Sequence, residues 1–164
     1  MLRKLFILLS FVILIGCSNQ RNVDHYSDSI IMDKENSRII LVQAKQMRKY
    51  LLTIEYAFTN YSNNTVGPLY FEFIFHDKLL VDYLGKENYS PDKRLNTPNT
   101  LHPNETFKSS VTLELSINNE EAFKVIQELL EENKNTVEIR LIRVDDERVL
   151  ASDSIMQFST KIEQ

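Results

Sequence analysis

Alternation with a period of two constrains this chain more than any other feature. Over residues 50–60, Leu52, Ile54, Tyr56 and Phe58 fall on one side, and Thr53, Glu55 and Thr59 on the other. Successive side chains of a strand point to opposite faces, so this spacing predicts a strand with one buried face. Residues 69–75 repeat it with Phe71, Phe73 and Phe75, residues 107–117 with Val111, Leu113, Leu115 and Ile117, and residues 137–144 again. Ile39-Ile40-Leu41-Val42 opens another apolar run, residues 79–84 read as a short edge strand, and residues 149–158 as the last strand.

Polar clusters separate these runs. Asn60-Tyr61-Ser62-Asn63-Asn64-Thr65 is a turn by composition, and Asp145-Asp146-Glu147-Arg148 reads as a hairpin turn. Residues 85–103 carry Pro91, Pro98 and Pro103 among Asn, Ser and Thr, which predicts a long irregular loop. One segment breaks the period: Phe123, Ile126, Leu129 and Leu130 form a helical stripe, with Asn118 or Asn119 as the cap. About seven short alternating strands and one helix before the penultimate strand predict a mainly β fold, an antiparallel β-sandwich.

The first 17 residues have a different character. Arg3 and Lys4 precede an apolar run from Leu5 to Ile15, broken by one serine, and Gly16-Cys17 follow before the chain turns polar. Positive start, apolar middle and small residue at the cut is the layout of a secretory signal peptide. Residues 18–29 are polar and aperiodic and read as a tether, which random-coil scaling gives a span on the order of 20 Å.

Leu14-Ile15-Gly16-Cys17 resembles the bacterial lipobox. The resemblance implies diacylglycerol on the Cys17 sulfur and cleavage between Gly16 and Cys17. It divides the chain into a cleaved leader (1–16), a lipidated N-terminus and tether (17–29), and one domain (30–164). Cys17 is the one cysteine of the chain, so the domain must fold without an internal disulfide. The covalent lipid is the only added group implied. The address implied is the outer face of a bacterial membrane, and heavy use of Asn, Lys and Ile leans toward a Gram-positive host.

The strand at residues 52–58 with Thr59-Asn60, and Leu101-His102-Pro103-Asn104-Glu105-Thr106 opening Val111-Thr112-Leu113-Glu114-Leu115, are similar to the telokin-like, immunoglobulin-like domains of Gram-positive surface lipoproteins. In those domains the loop usually reads Pro-Gly-Glu. Here Asn104 replaces the glycine, and Asn is among the residues that best tolerate positive φ. The likeness implies a fold and little about activity.

No chemistry stands out. His25, His76 and His102 lack partners at metal-ligand spacing, His76-Asp77 reads as a turn, and Asp145, Asp146 and Glu147 lack the frame of a calcium loop. No nucleophile elbow or phosphate loop is present, so no catalytic residue, metal or cofactor site is expected. The chain has 19 Lys and Arg against 23 Asp and Glu, and losing Arg3 and Lys4 with the leader takes its charge from −4 to about −6, which argues against nucleic acid. Tyr70, Tyr83 and Tyr89 lie away from the phenylalanine face or beside the loop and are candidates for a partner-binding edge; an edge strand packed by its own loop is the plainer alternative. The function expected is that of a non-catalytic interaction module for an envelope protein. The alternatives are capture of a peptide, glycan or metal, and an inhibitor or exclusion lipoprotein of a mobile element.

Overall fold

A computed structural model describes residues 29–91, 100–132 and 135–163; Gly16, Cys17, His25 and nearly all of the expected tether lie outside these residues. The described chain is mainly β, with nine strands in two sheets. The first sheet is built on β3 (Lys49–Asn60), whose alternation is the clearest in the sequence. One side of β3 pairs with β6 (Thr106–Leu115). Its other side pairs with β2 (Arg38–Ala44) and, beyond Glu55, with β1 (Ile30–Met32). The second sheet has the order β5 (Asn88–Tyr89), β4 (Leu69–Phe75), β7 (Val137–Arg143), β8 (Val149–Ser154).

Leu52, Ile54, Tyr56 and Phe58 are all fully buried, as their shared face requires. They meet Phe71 and Phe73 of the opposite sheet, with ring centroids 4.7 Å apart for Tyr56–Phe71 and 5.3 Å for Tyr56–Phe73. Val137, Ile139 and Leu141 complete the core from β7. The two sheets therefore form a sandwich. Phe107 stacks on Phe71 at 5.3 Å and closes the side along β6. Burial pushes the Tyr56 hydroxyl up from its ordinary pKa, partly offset by its hydrogen bond with Ser109.

The registers give the sandwich two distinct ends. Ile30, Asn60, Thr106, Leu69 and Arg143 share the lower end, where the chain enters. Ala44, Lys49 and Leu115 mark the upper end of the first sheet, and Phe75 and Val137 that of the shorter second sheet.

Four expectations need correction. Residues 79–84 form a helix, α1 (Lys78–Leu84), not an edge strand. The Asp77 carboxylate accepts from Leu79 N at 2.8 Å and Leu80 N at 3.2 Å, and Gly85 closes the helix at φ 68°. Capping at both ends and a Leu80/Leu84 spacing of one turn outweigh a short apolar run. The 85–103 segment also contains β5, held by Phe75 N donating to Glu87 O at 2.9 Å.

The expected final strand is two. β8 ends at Ser154, Ile155 is buried with its N–H on Val137 O at 3.0 Å, and the chain crosses to the first sheet as β9 (Gln157–Glu163). There β9 runs parallel to β2, the one parallel pair in otherwise antiparallel sheets. The second helix, α2 (Glu120–Glu132), consequently precedes the third strand from the end and not the penultimate one. Asn119 is its cap, accepting from Ala122 N at 2.8 Å, and Phe123, Ile126 and Leu130 form its buried stripe.

Candidate functional site

The outer face of the second sheet carries its polar side chains in register. Glu72 lies opposite Arg140, Arg140 opposite Ser152, and Glu138 opposite Ile74 and Ser154. Alternation explains this: the partners in between (Phe71, Phe73, Ile139, Leu141) point into the core.

Glu138 is the centre of this face. Its Oε1 accepts from Arg140 Nε at 2.8 Å and from Ser152 Oγ at 2.5 Å. Its Oε2 lies 2.9 Å from His76 Nε2, just beyond the end of β4. Burial pushes the Glu138 carboxyl up, but the hydrogen bonds from Ser152, Arg140 and His76 and the Arg140 charge outweigh it, so the pKa is lowered. Arg140 also approaches Glu72 at 3.6 Å.

Beside this cluster lies a groove of about 430 Å³, lined by Glu72, His76, Lys78, Glu87, Asn88 and Arg140 among others. It sits toward the Phe75–Val137 end of the second sheet. Its chemistry suits recognition through mixed charge. Ser152 and Arg140 donate to one oxygen of the Glu138 carboxylate, and His76 meets the other. Among the described residues no group of three or more His, Cys, Asp or Glu is placed to hold a metal ion.

The tyrosines expected at an edge lie on three elements: Tyr70 on β4, Tyr83 on α1 and Tyr89 on β5. Tyr70 faces away from the phenylalanines, as its position in the alternation requires, yet it is only 8 % exposed. Burial and then the charges of Glu147 and Glu72 push its hydroxyl pKa up. Strand parity alone predicts exposure, whereas the 144–148 turn, held by Val144 N on Pro68 O, lies at the same end of the sheet. Tyr83 on α1 is half-buried, and its carbonyl accepts from Ser116 N at 2.8 Å. Tyr89 is half-buried 6.3 Å from Phe73, with Lys86 Nζ 4.9 Å above its ring.

The remaining polar motifs have structural partners. Asp77 caps α1. His102 Nδ1 lies 3.1 Å from Thr65 Oγ1, and its backbone N–H donates to Glu105 at 2.7 Å. Asp146 pairs with Arg143, whose hydrogen bonds pull its carboxyl down to about 2. Glu147 follows in the left-handed region, so residues 145–148 form the expected turn.

Sequence reasoning passed over the Glu138 cluster. Glu72, Glu138 and Arg140 are visible as the polar members of alternating strands, but only the register of β4 against β7 brings them to one place. Compared with known proteins, the sequence matches no family model and no curated protein.

Proposed function

We propose that this protein is a membrane-anchored surface lipoprotein whose β-sandwich serves as a non-catalytic interaction module in the bacterial envelope. The observation that carries the reading is Leu14-Ile15-Gly16-Cys17 at the end of a positive-then-apolar leader. Diacylglycerol on Cys17, at about 0.8 kcal/mol per buried methylene over two chains, holds the protein durably at the bilayer. The folded domain begins at Ile30, twelve residues beyond Cys17 counting only those between, which leaves a short tether to the lower end. No helix among the described residues is long and apolar enough to cross a membrane.

The immunoglobulin-like reading of the sandwich belongs to the same proposal. Its support is the strand order: with β1 and β9 set aside, β2, β3 and β6 in one sheet and β5, β4, β7 and β8 in the other follow the order expected of strands A, B, E and C′, C, F, G. Such domains present loops and edges to partners, and the upper end would carry the Glu138 groove away from the bilayer.

Palmitate labelling of the intact chain in its host tests the anchor. Wild type should take up label and appear at reduced mass, and Cys17→Ser should do neither; normal maturation of Cys17→Ser would overturn the proposal. Cross-linking on intact cells, with the anchored chain as bait, should then yield one dominant envelope protein. A second reading, capture of a soluble ligand, is favoured by the mixed-charge groove alone. It requires a concentration-dependent rise in Tm with some member of a peptide, glycan and metal panel.

A further inference from the structure

The edge of the first sheet formed by β6 is long, regular and uncovered by any other strand among the described residues. Its register with β3 runs unbroken from Thr106 to Leu115, with no bulge and no proline. An exposed edge of that kind is a template for another strand unless it is blunted, and only Lys108 offers the usual charged protection toward its middle.

The hydrogen bonds show which residues face the free side. Asn60 N donates to Glu105 O at 3.0 Å, and antiparallel ladders alternate, so Phe107, Ser109, Val111, Leu113 and Leu115 direct their backbone groups at β3. Thr106, Lys108, Ser110, Thr112 and Glu114 direct theirs outward. Ser116, the next in that series, already donates outward to Tyr83 O at 2.8 Å, which ends the free stretch.

We propose that β6 pairs antiparallel with β6 of a second copy of this chain, with Val111 on the two-fold axis. The charges select this register. Centring on Val111 sets Lys108 opposite Glu114 of the partner and Ser110 opposite Thr112, each twice by symmetry. All four are residues whose backbone groups face outward, as hydrogen-bonded pairs require. Centring on Ser110 or Thr112 instead leaves Lys108 opposite Thr112 or Ser116, with no charge pair formed. Lys108 and Glu114 are exposed on the outer face of the sheet; Glu114 Oε2 meets Lys49 Nζ of its own chain at 2.7 Å, and Lys108 of the second copy would join that pair. On the inner face the same register brings the half-buried Val111 against its own copy. The occupant is therefore self-complementary in backbone, charge and apolar contact.

The full-length chain in detergent solution, measured by sedimentation velocity, tests this. Wild type should be a dimer at micromolar concentration. Lys108→Glu sets acid against acid at both symmetric pairs, Glu114→Lys sets base against base, and each alone should sediment as a monomer. Mixed in equal amounts they restore both pairs and should form a heterodimer, which a misfolded variant could not do. Val111→Cys should form an intermolecular disulfide on oxidation, since directly opposed residues at such a site have Cβ atoms about 4.5–5.5 Å apart. A monomeric wild type, or single variants as dimeric as wild type, would overturn the proposal. So would an equimolar mixture that stays monomeric.

Discussion

Asn60 Nδ2 donates to the backbone carbonyl of Leu101 at 2.9 Å, tying together two segments 41 residues apart in sequence. Asn60 is fully buried and uses both ends of its amide: Nδ2 also reaches Asn64 O at 2.8 Å, and Oδ1 accepts from Ser62 N at 2.9 Å and Ser62 Oγ at 2.6 Å. Leu101 in turn bridges to Val66 through paired backbone bonds. Asn60→Leu is expected to cost about 1–3 kcal/mol, because it strands the buried Leu101 carbonyl and removes the bonds that hold the 61–64 turn. Urea denaturation measures it; a change below about 0.5 kcal/mol would mean that solvent reaches this junction.

Glu138 makes stability depend on pH in a defined direction. Its folded pKa lies below the ordinary carboxylate value, so its contribution is present above the unfolded value and is lost as pH falls through the folded one. Glu138→Gln should therefore be less stable than wild type by about 1–3 kcal/mol at pH 7. The difference should close on going to pH 3 and below. Denaturation midpoints of both proteins across that range check the sign, and a gap that widens in acid would reverse it.

Phe73 has no exposed surface, meets Tyr56 across the core and has Tyr89 of the neighbouring β5 at 6.3 Å. Phe73→Ala should cost about 3–5 kcal/mol. Phe73→Leu keeps most of the volume and should cost less. Equal losses for the two would show that ring contacts, not volume, dominate this part of the core.

The two ends of α1 can be tested separately. Asp77→Ala removes the cap of Leu79 and Leu80 and should cost about 0.5–2 kcal/mol. Gly85→Ala meets no atom within 4 Å, yet its φ of 68° alone should cost about 1 kcal/mol. Gly85→Asn, which suits the left-handed region better, should recover part of that loss. Thermal melts of the three variants rank them, and Gly85→Ala at wild-type stability would contradict the φ argument.

Strand faces were readable from the sequence because alternation reports burial directly, and β3, β4, β6 and β7 follow it. Asn104 was readable too: it adopts φ 59° in the turn where a positive value was expected. The α1 helix was missed although both caps were present in Asp77 and Gly85, since six residues with five apolar members fit either period. The break at Ile155 was hidden for another reason. Ile155 continues an apolar pattern, and only the choice of sheet on either side of it divides the run. The Glu138 cluster and the burial of Tyr70 depend on which strands are neighbours and on where a distant turn lies. Neither is a property of any local window.

The parallel pair of β2 and β9 has a mechanical consequence. The chain enters at the lower end, and β1 and β2 both run upward from it. A pull on the N-terminal side is thus directed along their axes, with Tyr61 N already holding Ser29 O at 2.6 Å. To slide, β2 must break its registered bonds to β3 and to β9 together, since every position from Arg38 to Ala44 is paired on both sides. Load applied through this end is shared across the ladder in shear and does not peel one bond at a time. A domain loaded at Ile30 would lose only β1 before the whole β2 ladder has to give way at once.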